Sequence, residues 1–213
     1  MKNAALLAAL IAATPALAQD FSYTYLEASR WDTTEKSDIG LKNDEIKSHG
    51  YTLTGSYHFD AGLLVQLHYN DGKVDKAWGD KPSALGVSAD LDGWGLFVGG
   101  AGQARKDVSL WGGLGYERDT VEISIAGYGS ESSDFDTYSA GGGVRYWLVS
   151  MLEVNAALRF KHFRDDMGYS DNDVQVSLGA RLQPAELVSI GVNFDYLLDY
   201  RSEALSADVR LQF

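Results

Sequence analysis

The chain has 213 residues, of which 30 are acidic and 18 basic, and its formal net charge at pH 7 is −12. It contains no cysteine, which excludes a disulfide framework, a thiolate metal site and a lipid-bearing cysteine. Beyond the N-terminal segment, no apolar run approaches the ~18 residues that a membrane-spanning helix needs, so helical spanning is excluded there.

The N-terminal segment MKNAALLAALIAATPALAQ is typical of a secretory signal. Lys2 precedes an apolar run over residues 4–13, and a small-residue pattern ends at Ala18. Because the apolar run is too short to cross a membrane as a helix, we expect cleavage after Ala18 rather than an uncleaved anchor. The sequence therefore predicts an exported chain with a signal peptide at residues 1–18 and a single domain at residues 19–213.

After this segment, apolar and polar residues alternate with a period of two, the pattern of strands with two different faces. In VSIGVNFDYL, for example, Val188, Ile190 and Val192 oppose Ser189 and Gly191. In chain order, the pattern predicts ten strands near residues 21–31, 49–59, 62–71, 92–102, 107–117, 136–148, 152–163, 174–183, 187–198 and 204–213.

Two architectures contain such strands: a soluble β-sandwich, and a transmembrane β-barrel with an apolar outside and a polar lumen. The connections favour the barrel, because long polar segments alternate with tight turns along the chain, as they do between the two sides of an outer membrane. Strands of about ten residues also suit a tilted crossing of a bilayer. We therefore predict an all-β fold, a closed antiparallel transmembrane β-barrel with short periplasmic turns and longer external loops.

The number of strands depends on residues 121–127, which alternate like a further strand. If both chain ends lie on the periplasmic side, the number of strands must be even, as in bacterial single-chain barrels. We therefore interpret this segment as a hairpin extension within the third external loop, which leaves ten strands. Eight or twelve strands remain possible if the segment pairs differently.

The negative charge is concentrated in the predicted external loops, which hold 22 of the 30 acidic residues and 9 basic ones. An acidic surface disfavours nucleic acid, and it would need divalent cations to lie beside lipopolysaccharide phosphates. These loops are residues 32–48, 71–92, 117–136, 164–173 and 199–203.

The export segment, the amphipathic strands, the acidic loops and the terminal ALSADVRLQF together resemble small bacterial outer-membrane β-barrel proteins. FSYTYLEASRW and DLDGWGLFVGG are similar to a narrower group of ten-stranded proteobacterial barrels with an aromatic-rich first strand. The resemblance implies a location in the bacterial outer membrane, contact with its lipid and lipopolysaccharide, and folding by the barrel assembly machinery. It also implies that Phe213, with Val209 and Leu211 on its face, forms the assembly signal, whereas no catalytic residues carry over.

The predicted lumen contains charges of both signs, which could pair between strands, as Asp195 with Arg181 or Glu27 with Arg210. A barrel of this size is only modestly wider than one that side chains fill completely. We therefore expect a plugged lumen in a monomer, with a narrow path for small solutes as the alternative. The predicted lumen charge network is Glu27, His58, His68, Glu117, Arg145, Glu153, Arg159, Arg181, Asp195, Asp208 and Arg210.

An enzyme is the third class of function, and the residues disfavour it. His58 and His68 flank the first periplasmic turn, but neither has a nucleophile and an orienting acid in motif spacing. The acidic clusters do not fit a calcium loop with its closing glutamate. We expect no cofactor and no metal centre, with weak divalent-cation candidates at Asp165, Asp166, Asp171 and Asp173.

Several aromatic residues occupy apolar faces near the predicted strand ends, where the interfacial girdles of membrane barrels lie. We expect them to anchor the barrel at the membrane interface rather than to bind sugar. They are Tyr69, Trp94, Tyr116, Tyr138, Tyr146 and Tyr196, together with Phe213. The predicted function is structural or at the cell surface, through the acidic external loops.

Overall fold

The computed structural model describes residues 21–36, 45–76, 87–125, 127 and 129–213. Within these ranges, no helix is long and apolar enough to cross a membrane. The predicted signal peptide, residues 1–18, lies outside the described residues. The described strands are Tyr25–Lys36 (β1), Glu45–His58 (β2), Leu63–Lys76 (β3), Val87–Arg105 (β4), Val108–Ile125 (β5), Gly129–Val149 (β6), Leu152–Asp165 (β7), Ser170–Ala185 (β8), Val188–Leu197 (β9) and Ser202–Gln212 (β10).

The ten strands form one closed antiparallel barrel in which each strand pairs with its neighbours in the chain. The first and last strands close it: β1 pairs with β10 from Tyr25 opposite Gln212 to Glu35 opposite Ser202. Closure leaves no open sheet edge along the wall, and this removes the main liability of an isolated β-sheet. The predicted closed antiparallel barrel of ten strands is confirmed.

The segment that complicated the strand count belongs to the β5–β6 hairpin. β5 continues to Ile125, β6 begins at Gly129, and these two residues face each other in the register. The hairpin-extension interpretation is therefore confirmed, with the correction that residues 121–125 continue β5 instead of belonging to a loop.

The wall of the barrel has unequal height. β4, β5 and β6 have 19, 18 and 21 residues, whereas β9 and β10 have 10 and 11. The predicted limits of β4–β6 were too short, because above the apolar belt the outward positions become polar, as at Asp90, Asp92 and Glu122. The strands nevertheless continue, with Leu91, Val121 and Ile123 on the opposite face, since the neighbouring strand still satisfies their backbone hydrogen bonds.

Tight turns join the strands at one end of the barrel, at residues 59–62, 106–107, 150–151 and 186–187. The first of them needs Gly62, whose φ of +82° is a left-handed conformation that favours glycine. Phe213 lies at the same end, where its amide donates to the Thr24 carbonyl at 3.0 Å. We call this the lower end and the opposite one the upper end.

Alternation gives the barrel an apolar outside and a polar inside. Leu53 and Leu114 point outward and are 59% and 67% exposed, whereas the charged side chains of Glu153 and Arg181 are buried inside. A belt of exposed leucine and valine far exceeds the apolar patches that soluble proteins tolerate. The outer surface therefore requires an apolar medium, and the soluble sandwich is excluded because all ten strands form a single sheet.

Candidate functional site in the barrel interior

The interior contains a cavity of about 510 Å³. Tyr23 and Leu64 line it at the lower end, and Thr33 and Asp119 line it at the upper end. The wall between them is mostly hydroxyl, amide and charged side chains, because inward positions alternate with the apolar outward ones. The site is therefore built from the polar half of the alternating pattern.

An aromatic floor lies at the lower end of the cavity. Tyr23, Leu64 and Phe97 are buried together, and Phe21 and Trp111 pack against them. Residues 21–24 precede β1 and cross this end of the barrel. The Tyr23 hydroxyl is 2.9 Å from the Ser109 hydroxyl, and the Ser56 hydroxyl donates to the Tyr23 carbonyl at 2.6 Å. These bonds hold the N-terminal segment inside the wall.

A buried ion pair between Arg145 and Glu153 completes the floor. The Arg145 guanidinium donates two bonds to the Glu153 carboxylate, Nε to Oε1 at 2.8 Å and Nη2 to Oε2 at 2.6 Å. Its Nη1 donates to the Ser22 carbonyl at 3.0 Å, and its carbon Cζ lies 4.6 Å from the ring centre of Tyr23. The guanidinium is therefore satisfied by a bidentate carboxylate, a carbonyl and a ring face.

A second charge network crosses the closure between β1 and β10. Glu27 Oε2 accepts Nε of Arg210 at 2.8 Å and Nη2 of Arg181 at 2.9 Å. Arg181 Nη1 lies 2.7 Å from Asp208 Oδ1. The Arg210 guanidinium stacks 3.7 Å from the ring centre of Tyr25. The expected Glu27–Arg210 pair is therefore present, and two further charges join it.

The expected pair between Asp195 and Arg181 is wrong. The register places Arg181 opposite Gly191 and Ser177 opposite Asp195. A Cβ atom on Gly191 would lie 2.4 Å from Asp208 Oδ2 and 2.9 Å from Arg181 Nη2. Because Gly191 leaves this space empty, Arg181 reaches across β9 to Asp208 on β10. Asp195 instead accepts hydrogen bonds from Gln175 Nε2 at 2.8 Å and from the Ser177 hydroxyl.

The upper interior holds the remaining predicted lumen charges apart from His58. Lys161 Nζ lies 3.5 Å from Glu117 Oε2. The ring of His68 occupies the space over Gly95, where an added Cβ would meet it at 2.3 Å. The Arg159 guanidinium lies 5.2 Å from the ring centre of Trp111. This layer is polar and charged, but it is less completely paired than the floor.

His58 lies at the lower end rather than in the upper cluster. Its Nε2 is 3.1 Å from the Ala101 carbonyl oxygen, and its ring centre is 5.6 Å from that of Tyr23. His58 therefore supports the floor. The sequence did not identify Tyr23 as part of a floor, because the crossing of residues 21–24 depends on contacts with distant strands.

The predicted interface aromatics lie on the outer surface and form a row across neighbouring strands. Tyr69 faces Trp94 in the register, and the ring centres of Trp94 and Tyr116 are 5.5 Å apart. Those of Tyr116 and Tyr138 are 5.3 Å apart. In β4–β6 these residues lie in the middle of the strands rather than near their ends, because the strands extend further than predicted.

The other predicted aromatics and the residues of the predicted assembly signal lie on the outer wall. Tyr146 lies towards the lower end of β6, Tyr196 near the upper end of β9, and Phe213 is 72% exposed. Val209 and Leu211 are exposed on the outer face of β10. Tyr57 and Phe59 were not among the predicted aromatics, and their rings pack edge to face 4.6 Å apart beside the first lower turn.

The four candidate cation ligands hold local structure at the upper end. Asp173 is buried and accepts the backbone amides of Asp199 and Tyr200 at 2.9 and 3.1 Å. Asp171 accepts the Tyr200 hydroxyl at 3.2 Å. Burial, reinforced by the charge of Asp171, raises the pKa of Tyr200 to about 12. These contacts tie the β9–β10 turn to β8.

Asp165 and Asp166 stabilise the β7–β8 turn and its neighbour. Asp165 Oδ1 accepts the Tyr169 amide at 2.7 Å, and Asp166 Oδ1 accepts the Ser133 hydroxyl at 2.9 Å. Across the described ranges, no group of three or more histidine, aspartate or glutamate residues is arranged to hold a metal ion.

The outer face of the β5–β6 hairpin carries its own charge pairs. Arg118 lies 2.5 Å from Asp134 and 3.7 Å from Asp136. The hydrogen bond from Arg118 lowers the pKa of the Asp134 carboxyl below its usual range. Asp134 therefore stays charged under all but strongly acidic conditions.

A closed barrel with an apolar outside and a charged interior defines an integral membrane protein of the β-barrel class. The sequence profile of the family described as Outer membrane protein beta-barrel domain matches residues 4–201. The chain belongs to this family, which places it in the bacterial outer membrane. The lower end, with its short turns, then corresponds to the periplasmic side and the upper end to the outside.

Solved structures agree with the fold. The translocator domain of the autotransporter NalP from Neisseria meningitidis is 13% identical, with a TM-score of 0.56 and coverage of 99% of this chain and 96% of that one. The transport unit of the autotransporter AIDA-I from Escherichia coli is 12% identical, with a TM-score of 0.53 and coverage of 100% and 97%.

A third similar structure is the Neisserial surface protein A. It is 18% identical, with a TM-score of 0.49 and coverage of 90% of this chain and 98% of that one. No curated protein sequence matches the chain. At these identities, the similarity to the two autotransporter structures shows the fold alone.

Proposed function

We propose that this protein is a non-conducting outer-membrane barrel that acts at the cell surface through the acidic upper parts of β4–β6. The observation that carries the proposal is the floor of the interior. The bidentate Arg145–Glu153 pair and the packed ring of Tyr23 fill the periplasmic end, and both charged side chains are less than a tenth exposed. An ion crossing this layer would have to separate a buried, fully bonded ion pair.

Conductance of the refolded protein in a planar lipid bilayer tests the closed interior. We expect the wild type to give no steps of reproducible size. The double variant Tyr23→Ala/Arg145→Ala should give steps, because it removes the ring and the guanidinium that fill the floor. Arg118→Ala removes an arginine from the outer face and is the matched control. Reproducible steps in the wild type would overturn the closed-barrel proposal.

A narrow channel for small solutes is the second candidate, and the cavity of about 510 Å³ favours it. That volume accommodates small hydrophilic molecules as far down as Trp111 and Leu64. The channel requires the N-terminal segment to leave the floor, which the closed-barrel proposal does not. The bilayer recording distinguishes the two candidates directly.

The outer wall supports the surface role. The parts of β4–β6 above the aromatic row carry an excess of carboxylates, including Glu122, Glu131 and Asp134. Lipopolysaccharide phosphates would approach such a surface through divalent cations. In membranes that contain lipopolysaccharide, a chelator should increase proteolysis of the β5–β6 hairpin. Unchanged proteolysis would contradict cation bridging.

Assembly by the outer-membrane machinery is part of the same proposal. Phe213 is exposed at the periplasmic end of the last strand, on the lipid face that it shares with Val209 and Leu211. We expect Phe213→Ala to reduce the amount of assembled barrel in the outer membrane more than it lowers stability after refolding in vitro. Leu205→Ala, at the other end of the same strand face, is the control. Equal losses in both measurements would show that Phe213 only packs.

The proposed role is non-catalytic. His58 contacts a backbone carbonyl, and His162 Nδ1 lies 2.9 Å from the side-chain oxygen of Asn172. Neither ring is hydrogen-bonded to a hydroxyl nucleophile in these contacts, so the pattern of nucleophilic catalysis does not apply to them.

A further inference from the structure

The upper interior contains two opposite charges that the charge networks of the barrel leave unpaired. In the described part of the chain, no carboxylate forms an ion pair with Arg159, and no lysine or arginine forms one with Asp195. Both residues line the same cavity. The other arginines of the interior, Arg145, Arg181 and Arg210, each have a carboxylate within 3 Å.

Gln175 lies between these charges on β8. It faces Arg159 of β7 in the register, and its Nε2 donates to Asp195 of β9 at 2.8 Å. Gln175 is only 8% exposed, and its Oε1 is buried with no partner among the described residues, as is Nε of Arg159. A buried donor and a buried acceptor without partners cost free energy until a ligand or water satisfies them.

The interior groups without a counter-charge or hydrogen-bond partner differ in charge and in hydrogen-bonding role. Arg159 Nε offers a hydrogen-bond donor with a positive charge, whereas Asp195 and Gln175 Oε1 offer acceptors and one negative charge. Strands β7 and β9 lie roughly 10 Å apart across β8. A small molecule with a negative and a positive group can bridge such a gap with a hydrogen bond of about 2.9 Å at each end.

We infer that the upper interior binds a small zwitterion of the α-amino-acid class. The carboxylate of the ligand lies on Arg159, and its ammonium group lies on Asp195 and the free oxygen of Gln175. Single-charge ligands fit less well, because each would leave one of the two protein charges without an opposite charge. The inference goes beyond the proposed surface role and needs only the cavity above the floor.

The test uses four probes with the same side chain: L-alanine carries both charges, N-acetyl-L-alanine only the negative one, L-alaninamide only the positive one, and N-acetyl-L-alaninamide neither. The full barrel, refolded in detergent micelles, is titrated with each probe while the NMR signal of the Arg159 Nε–H group is followed. L-alanine should bind at least about tenfold more tightly than each of the others, because it alone satisfies both charges. Equal binding of all four probes, or no shift with any of them, would overturn the inference.

Two charge-neutral variants make the test specific, and their binding is followed through the Gln175 side-chain amide signals. Arg159→Gln should remove the preference for L-alanine over the cationic L-alaninamide, whereas Asp195→Asn should remove its preference over the anionic N-acetyl-L-alanine. A merely structural role would not exchange one selectivity for the other. Unchanged selectivity in either variant contradicts the inference.

Arg164→Gln and Asp199→Asn are the matched controls, since both side chains are exposed at the upper end. They should keep the wild-type selectivity, and a gel comparison of boiled and unboiled samples verifies that every variant is folded. The outcome is separable from the conductance test. A conducting barrel with this selectivity would refute the closed floor alone, and a closed barrel without it would refute the ligand site alone.

Discussion

The lower and upper halves of the interior contain the same residue types, but the arginines of the two halves differ in their partners. In the lower half, Arg145 and Arg210 each meet a carboxylate within 3 Å and a ring face. In the upper half, Arg159 has a ring face but no paired carboxylate among the described residues. The difference teaches that a lumen arginine stabilises the barrel when its partner is built into the wall, and is available to a ligand when it is not.

The largest expected effect comes from breaking a pair in the lower half. Glu153→Ala leaves Arg145 buried without its carboxylate and should lower the free energy of unfolding by about 3–5 kcal/mol. Denaturant unfolding of the refolded barrel, followed by tryptophan fluorescence, measures it. Arg159→Gln is the matched change in the upper half and should cost less than about 1 kcal/mol. Equal losses for the two variants would remove the distinction between the halves.

Breaking the charge network across the closure between β1 and β10 should have a smaller effect. Glu27→Gln removes the carboxylate that both Arg181 and Arg210 contact, but Arg181 keeps Asp208 at 2.7 Å. We expect a loss of about 2 kcal/mol in the same unfolding measurement, because charged hydrogen bonds are weakened rather than all lost. A loss as large as that of Glu153→Ala would show that Asp208 does not compensate.

The space that Gly191 leaves to Arg181 and Asp208 offers a steric test of the same network. Gly191→Ala places a methyl group in the path by which Arg181 reaches Asp208, and it should cost about 1–2 kcal/mol. Gly102→Ala is the control, since an added Cβ there meets no atom within 4 Å. That variant should change stability by less than about 0.5 kcal/mol. An unchanged free energy of unfolding in Gly191→Ala would mean that Arg181 and Asp208 can move aside without cost.

The smallest effect belongs to the β9–β10 turn at the upper end. The pKa of Tyr200 is raised to about 12, so folding favours its neutral form. This contribution is complete below the unfolded pKa of about 10 and is lost as the pH rises through 12. Tyr200→Phe should cost below about 1 kcal/mol at pH 7, since the side chain is partly solvated. Absorbance at 295 nm, compared between wild type and variant, follows the titration; a Tyr200 that titrates near 10 contradicts the prediction.

The sequence predicts the wall better than the interior. Alternation identifies which residues face inward, since period two is local and survives in any barrel of these strands. Parity of the strands then explains why residues 121–127 extend a hairpin. The upper limits of β4–β6 escape prediction, because the outward positions beyond the apolar belt are polar, as they are in an exposed loop.

The pairing of interior charges is the part that sequence cannot supply. Whether Arg181 meets Asp195 or Asp208 depends on the register of β8 and β9, and on the space that Gly191 leaves. The crossing of Phe21 and Tyr23 beneath the cavity likewise depends on Ser56, Ser109 and Arg145, which lie on three different strands.

The sequence by itself determined a closed barrel with an apolar outside, a charged interior and an acidic upper surface, because each of these follows from local alternation and from where charge falls along the chain. Only the tertiary structure decided which interior charges neutralise each other and which, like Arg159 and Asp195, do not. The physical reason is that ion pairing is short-ranged: a partner 3 Å away and one a strand further look alike in sequence, but only the first is bonded.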